Sequence, residues 1–300
     1  MPHPNQRATA DLPPELRRTT VPPAVRDWVR RCAGAPVVGV RRLPGASSTA
    51  VHGLHLADGR RFVLRRYSWP GFLQEEPIAP RREVDALVLG TRSGLGVPEV
   101  VAADTTGDAV GDGVPVLLMS WLPGRAVGAP DVDRLAEVVA SVHAVDASSL
   151  PHEYFRWYAD RPTLRPPPSG VTAIWERAQE VWDAGPPPFR PAFVHRDFHP
   201  GNVLWSRGRL TGIVDWANAC RGPTGCDIAH CRANLISWAG VAAADAFRAA
   251  YERLTGEAHH PYWEIASVFE NGPSCYTRPA AVAEAEPRLS AALAELGALP

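Results

Sequence analysis

Residues 195–202 read HRDFHPGN, and residues 213–216 read IVDW. Asp197 precedes Asn202 by five residues, and Asp215 follows Asn202 by thirteen. The Pro-Gly pair between the first two favours a tight turn, so their side chains can face one space. Short apolar runs flank the turn and precede Asp215, and they have the composition of two strands. Pairing of these strands would return Asp215 to the side of Asn202.

Such a set of residues suits the transfer of a phosphoryl group. This reaction needs a carboxylate that accepts or orients a hydroxyl proton, oxygen ligands that hold Mg²⁺ against the phosphates, and a cation that fixes the phosphate tail. Asp197, Asn202 and Asp215 are of the types that the first two tasks require. A lone His-x-Asp often occurs by chance. The spacing from Asp197 to Asn202 and Asp215 makes this pattern more specific.

The surrounding chain predicts an α+β fold with two lobes. Residues 1–36 are expected to form an N-terminal arm and a short helix. Residues 37–123 alternate in the manner of five strands with one inserted helix, and a good hairpin turn lies at 58–59. Residues 124–300 are mainly helical in pattern and would form the large catalytic and acceptor-binding lobe. A cleft between two lobes is a common place for a ligand.

Composition and charge argue against a nucleic-acid-binding protein and against a membrane-spanning protein. The formal net charge is −1, and all 31 basic residues are Arg. A balanced charge argues against nucleic acid as a partner. The absence of any run of about 18 apolar residues argues against a membrane span. The start of the chain has no apolar core of a signal peptide, and five scattered Cys suit reduced, buried thiols better than zinc ligands, so we expect a cytoplasmic protein.

The motif as a whole resembles a known family. The pattern H-x-D-x4-N followed by an Asp resembles the catalytic core of protein-kinase-like enzymes. The versions HRDFHPGNVLW and GIVDW resemble the aminoglycoside phosphotransferase family, and the resemblance extends over roughly residues 37–270. That family also includes macrolide, choline, fructosamine and homoserine-type kinases. It implies a two-lobed protein-kinase-like fold and the use of ATP or GTP with Mg²⁺.

The resemblance implies roles for the catalytic segment. Asp197 would be the catalytic base, and Asn202 and Asp215 would be the ligands of Mg²⁺. His195 would orient the loop by packing and hydrogen bonds rather than by chemistry. His199 would stabilise the same loop.

Two further carboxylates are candidates in the large lobe. Asp227 matches an Asp that usually stabilises the catalytic loop of the family. Asp227 and Glu270 are also candidates for contact with the acceptor. The aromatic residues of the last 75 positions are numerous enough to line a ring-binding pocket, although such residues are more often part of a core.

The nucleotide side departs from the family pattern. Arg65 occupies the position of the family Lys on the third strand, and Glu83 on the following helix is its expected partner. Glu75 and Glu76 are nearer in sequence but are predicted to lie in a loop. The other candidate nucleotide contacts are Ser47 and Ser48 in the phosphate loop (residues 43–49) and Ser120, Trp121 and Leu122 in the connector (residues 117–124).

The leading interpretation is therefore a phosphotransferase. It would move the γ-phosphate of a nucleotide triphosphate to a hydroxyl of a small acceptor, such as an aminoglycoside or another antibiotic. A metabolic kinase for an amino alcohol or sugar shares every catalytic residue and stays an alternative. A pseudokinase that binds nucleotide without turnover is a second alternative, because Arg65 and a Gly-poor phosphate loop depart from the pattern. The chain could act as a monomer or a homodimer.

Overall fold

The computed structural model describes residues 12–127, 131–159, 172–270 and 279–300. The chain divides into two compact units. The first unit comprises Met1–Gly128 and Gly201–Ala219, and the second comprises Ala129–Pro200 and Cys220–Pro300.

A five-stranded antiparallel sheet forms the centre of the first unit. Its strands lie in the order β1-β2-β3-β5-β4. Their bounds are β1 Val37–Arg42, β2 Ala50–Leu56, β3 Arg61–Arg66, β4 Val100–Asp104 and β5 Val116–Ser120. The turn between β2 and β3 contains Gly59 with a positive φ of 86°, as the predicted hairpin requires.

Four helices belong to the same unit: α1 Pro14–Arg17, α2 Pro23–Ala33, α3 Pro70–Glu75 and α4 Ala79–Arg92. Val25, Trp28 and Val29 of α2 are buried in one cluster with Leu54 and Leu64 of the sheet. Two helices, rather than the one predicted, lie between β3 and β4.

The additional helix corrects the prediction for Glu75 but not that for Glu76. Pro70 at the first position suits the start of a helical turn, and Glu75 is the last residue of α3. Glu76 follows the helix and forms an ion pair with Arg82 of α4. Glu75 therefore lies in a helix, whereas Glu76 lies in the short loop between α3 and α4, as predicted.

The segment that follows the catalytic loop belongs to the first unit. Among the strands β6 Ala192–Val194, β7 Val203–Ser206, β8 Arg209–Ile213 and β9 Cys220–Gly222, β7 pairs with β8 and β6 pairs with β9. The backbones of Arg125 and Trp205 exchange hydrogen bonds of 3.0 and 2.9 Å, and the Ile213 amide donates to Gly96 at 2.7 Å. These bonds explain why residues 201–219 group with the sheet, whereas a boundary near residue 123 assigns them to the large lobe.

Helices dominate the second unit. They are α5 Val132–His143, α6 Thr172–Asp183, α7 Thr224–Ala239, α8 Val241–Thr255, α9 Tyr262–Phe269 and α10 Pro279–Glu295. The Asp131 carboxylate accepts from the amides of Asp133 and Arg134 and caps α5. No helix in the described ranges is both long and apolar enough to cross a bilayer.

The core of the second unit is aromatic. Stacked or edge-on contacts join Trp182 to Tyr262 and Phe269, and Trp263 to Tyr262. These side chains are buried, so they belong to the core and not to the wall of a pocket. The thiols of Cys220, Cys226 and Cys231 are buried in the same unit, Cys32 in the first unit is exposed, and Cys275 and Tyr276 lie outside the described residues.

Candidate active site

Arg65 links two carboxylates in the first unit. Its Nη1 donates to Asp215 Oδ1 at 2.6 Å, and its Nε lies 3.4 Å from Glu83 Oε2. The second contact is an ion pair without hydrogen-bond alignment. The arginine side chain is 8% exposed, so both pairs lie largely out of water. The cation on β3, the glutamate on α4 and the aspartate after β8 thus come together.

The electrostatic balance at this point keeps Arg65 charged. Burial alone lowers the pKa of Arg65, but the charges of Asp215 and Glu83 outweigh burial and raise the pKa above its ordinary value. Burial raises the pKa of Glu83, and the Arg65 charge opposes this rise only in part. Tyr67 donates its hydroxyl to Glu83, and a backbone hydrogen bond from Trp216 also reaches that carboxylate.

The β7–β8 hairpin brings Asp215 back to Asn202. The Val214 amide donates to the Asn202 carbonyl at 2.9 Å, so Asp215 directly follows the residue paired with Asn202. Asp215 adopts a left-handed backbone with φ of 70°, which is costly for a residue other than Gly. The buried Trp216 indole donates to the Ile213 carbonyl at 2.9 Å and helps to hold this turn.

These two residues fit a magnesium ion. Mg²⁺ prefers oxygen ligands and commonly takes one or two protein side chains together with phosphate oxygens and water. Asn202 offers an amide oxygen and Asp215 a carboxylate, and the carboxylate side chain is 33% exposed. The donor set and its partial exposure therefore match the predicted ligand.

The Asp197 carboxylate lies in the second unit among imidazoles. His230 Nε2 is 3.1 Å and His199 Nε2 is 3.9 Å from the same oxygen, Oδ1. Burial raises the pKa of Asp197, but the hydrogen bond from His230 and the charges of His199, His230 and His195 lower it well below its ordinary value. Asp197 is therefore ionised at neutral pH.

Asp227 holds the backbone that precedes Asp197. Its Oδ2 accepts the His195 amide at 2.8 Å, and its Oδ1 accepts the Arg196 amide at 2.6 Å. His143 Nε2 lies 3.1 Å from Oδ2, and His143 Nδ1 lies 2.7 Å from the Tyr251 hydroxyl. The carboxylate is fully buried. These bonds fit the predicted role of Asp227 in stabilising the loop, and its contact with an acceptor stays a prediction.

Arg196 is enclosed by aromatic rings. Its guanidinium carbon is 3.5 Å from the ring centroid of Trp157 and 4.7 Å from that of Tyr154. Its Nη2 lies 3.2 Å from Glu270 Oε2, while the Tyr154 hydroxyl donates to Glu270 at 2.9 Å. Arg196 has a positive φ of 62°, and these contacts hold that conformation next to Asp197.

The remaining candidates differ in their surroundings. Glu270 is bound to Arg196 and Tyr154, so its contact with an acceptor stays a prediction. His195 is buried and accepts the Asp197 amide on its Nδ1 at 3.3 Å, which suits an orienting role. Ser47 is exposed and Ser48 half-buried in the phosphate loop.

The connector residues pack against their own unit. Ser120 Oγ accepts the Glu99 amide at 2.9 Å. The Trp121 ring covers Gly53, where an added Cβ would lie 2.9 Å from the indole, and Leu122 lies against Gly212 in the hairpin. Contact of these three residues with a nucleotide base stays a prediction.

Sequence reasoning missed several residues of this site. Tyr67 lies two residues after Arg65 on the same side of the chain, and that alternation was the available signal. His230 lies three residues after Asp227, one helical turn along α7. This helical spacing, which places His230 on the face that carries Asp227, was the available signal. No local pattern pointed to His143 or to the aromatic rings around Arg196.

Comparison with known proteins agrees with this arrangement. Residues 39–264 match the model of the phosphotransferase enzyme family. No curated protein matches the chain in sequence at a significant level.

Solved structures share the fold at low sequence identity. A thermostable mutant of the aminoglycoside phosphotransferase APH(4)-Ia, in a ternary complex with ADP and hygromycin B, is 18% identical over 90% of this chain and 98% of that chain, with a TM-score of 0.61. The apoenzyme of macrolide 2'-phosphotransferase MphH from Brachybacterium faecium is 20% identical over 89% of this chain and 97% of that chain, with a TM-score of 0.59. The match over most of the chain and the shared protein-kinase-like fold lead to one conclusion: the chain belongs to the phosphotransferase enzyme family.

Proposed function

We propose that the chain transfers the γ-phosphate of ATP or GTP to a hydroxyl of a small molecule. The observation that carries the proposal is the pairing of Arg65 with Glu83. In kinase-like enzymes, a cation on the third strand must pair with a glutamate on the next helix before the phosphates are held correctly. The pair is formed here with Arg in place of Lys.

Asp197 acts as the base in this proposal. The acceptor hydroxyl gives its proton to the Asp197 carboxylate while its oxygen bonds to the γ-phosphorus. The bond from the γ-phosphorus to the bridging oxygen breaks, and the nucleoside diphosphate leaves with that oxygen. The proton then passes to solvent. The low pKa of Asp197 keeps the carboxylate ready to orient a hydroxyl at neutral pH.

The first unit supplies the groups that bind the nucleotide. Arg65 would hold phosphate oxygens, because a guanidinium can donate to two oxygens at once. Asn202 and Asp215 would hold Mg²⁺, which neutralises charge on the phosphates when it is bound. Ser47 and Ser48 would add donors to the phosphates, and Ser120–Leu122 would meet the base.

The acceptor is proposed as a small hydroxylated antibiotic. APH(4)-Ia was solved with hygromycin B, and MphH is a macrolide 2'-phosphotransferase, so antibiotic acceptors occur on this fold. Such a reaction would confer antibiotic resistance and would take place in the cytoplasm, where ATP, GTP and Mg²⁺ are present. A metabolic acceptor, an amino alcohol or a sugar, would use the same residues.

One observation favours a nucleotide-binding pseudokinase as the second candidate. Arg65 Nη1 is only 2.6 Å from Asp215 Oδ1, so the cation occupies a carboxylate that the metal needs. If that pair persists with nucleotide bound, turnover is blocked. The intact Asp197 argues for an enzyme, because a binding module has no chemical need of a base.

The experiment is a transfer screen with labelled γ-phosphate. The purified chain is incubated with ATP or GTP and Mg²⁺ against aminoglycosides, macrolides, sugars and amino alcohols, with Asp197→Ala as the control. Transfer by the wild type that is lost in Asp197→Ala and on chelation of Mg²⁺ supports the proposal. Nucleotide binding by both proteins, with transfer to no acceptor, favours the pseudokinase.

A further inference from the structure

Helix α7 presents two side chains to the catalytic loop (residues 195–202), one helical turn apart. Asp227 accepts the amides of His195 and Arg196. His230 follows three residues later, and its Nε2 lies 3.1 Å from Asp197 Oδ1. We propose that His230 is a positioning residue, which fixes the orientation of the Asp197 carboxylate for phosphoryl transfer. This inference rests on the function proposed above.

The helix makes the His230 contact rigid. Residues three apart lie on the same face of a helix, so Asp227 and His230 approach the loop together. Because Asp227 fixes the loop backbone through two amides, the distance from α7 to Asp197 is set before any ligand binds. His230 therefore lies on the same helix that holds the loop backbone. A contact between two fixed elements can position a reacting group precisely.

A second imidazole approaches the same carboxylate oxygen. His199 Nε2 is 3.9 Å from Asp197 Oδ1, and the ring centroids of His199 and His230 are 5.9 Å apart. The His199 ring also meets Trp238 edge-on at 6.1 Å. Two imidazoles thus lie near the same oxygen of Asp197, Oδ1. This is the oxygen that His230 of α7 contacts.

A purely structural role explains His230 poorly. The His230 side chain is 23% exposed and that of Asp197 is 31% exposed. Ion pairs in contact with water contribute little to folding stability. By contrast, Asp227 is fully buried and stabilises the loop through its bonds to the backbone amides. The contact between His230 and Asp197 thus has more effect on the carboxylate than on the fold.

Electrostatics give independent support. Burial raises the pKa of Asp197, and the hydrogen bond from His230 is the largest opposing influence. In the second unit, the titratable groups that act on this carboxylate are His195, His199 and His230. Removal of His230 leaves burial less opposed, so the pKa of Asp197 should rise toward its ordinary value.

The kinetic test compares His230→Ala with His230→Gln, whose amide N–H can take the place of the imidazole Nε2 donor. We expect His230→Ala to lower kcat tenfold to a hundredfold, as misplacement of a reacting group does, with little change in nucleotide KM or in melting temperature. His230→Gln should recover part of the loss. His55 is exposed on β2, so His55→Ala is the control. A kcat of His230→Ala within twofold of the wild type overturns the proposal.

A second measurement needs no turnover. The Asp197 carboxyl carbon is followed by ¹³C NMR during a pH titration of the wild type and His230→Ala, with Asp197→Asn for assignment. The titration midpoint should move upward in His230→Ala, and an unchanged midpoint overturns the role of His230. A wild type that transfers phosphate to no acceptor counts against the proposed function, whereas the NMR result still decides whether His230 controls Asp197.

Discussion

Asp227→Asn should destabilise the second unit and disorder the loop that carries Asp197. The buried Asp227 carboxylate holds three groups: the amides of His195 and Arg196, and the imidazole of His143. Asn has nearly the same size but keeps only one oxygen. Its NH₂ group must therefore face at least one N–H donor that the carboxylate now satisfies.

The magnitude follows from these three bonds. A hydrogen bond to a charged group contributes about 1.5–3 kcal/mol, and one between neutral groups about 0.5–1.5 kcal/mol. Asp227→Asn loses at least one bond outright and converts the others from charged to neutral. The expected loss in the free energy of unfolding is about 4 kcal/mol.

The assay is urea unfolding of the wild type and Asp227→Asn, followed by circular dichroism. Asp133→Asn is the control, because its carboxylate pairs at 3.0 Å with Arg253 on the surface, and such pairs are worth about 1 kcal/mol or less. A loss below about 1 kcal/mol in Asp227→Asn would refute the reasoning.

The difference in stability between the wild type and Asp227→Asn should also depend on pH. Burial raises the pKa of Asp227, but the bond from His143 and the neighbouring charges and amides lower it below its ordinary value. Between the folded and the unfolded pKa, Asp227 thus stays charged in the folded chain but is protonated in the unfolded chain. The stabilisation is complete above about pH 4 and is lost as pH falls, so the difference between the two proteins should shrink on acidification.

Three further substitutions test other parts of the structure. Gly225→Ala places a Cβ 2.0 Å from Trp263, so the free energy of unfolding should fall by about 1–3 kcal/mol in urea unfolding. Arg65→Ala leaves the buried Glu83 without its cation and should cost about 3–5 kcal/mol, with weaker nucleotide binding in calorimetry. Glu264→Gln removes the negative charge that pairs with Arg232 and Arg288, and should cost about 2–3 kcal/mol at neutral pH. A change below about 0.5 kcal/mol in any of these variants contradicts the contact that it tests.

Much of the fold could be predicted, because local patterns agree with it. Alternation along residues 37–66 and the Asp58-Gly59 turn predicted β1, β2 and β3. Glycine suits the end of the predicted short helix, and α2 ends at Gly34 with a φ of 78°. These features depend on neighbours in sequence, which is the information that a pattern contains.

Helix α4 shows where a hydrophobic pattern misleads. Val84, Leu87 and Val88 recur at helical spacing, as on one apolar face, but Val88 is 43% exposed. The buried face instead contains Arg82 and Glu83, each 1% exposed. Glu83 is buried because it meets Arg65, and Arg82 is paired with Glu76. A pattern that sorts residues by polarity cannot anticipate charged side chains that are buried because each has an oppositely charged partner.

The candidate site was predictable to a similar degree. Spacing alone predicted the return of Asp215 to Asn202, and the bond between Val214 and Asn202 confirms it. The hydrogen bond between His143 and the Asp227 carboxylate was not predictable, because the two residues are 84 positions apart in sequence. The contact of His230 with Asp197 likewise depends on how α7 packs against the loop.

The most direct test of the account is steady-state transfer by Asp197→Asn, measured beside nucleotide affinity. The variant keeps the size of the side chain but loses the carboxylate, so kcat should fall at least about a hundredfold, as for loss of a general base. Nucleotide affinity should stay within about twofold, because Arg65, Asn202 and Asp215 are untouched. A near-normal kcat in Asp197→Asn would contradict the assignment of Asp197 as the base.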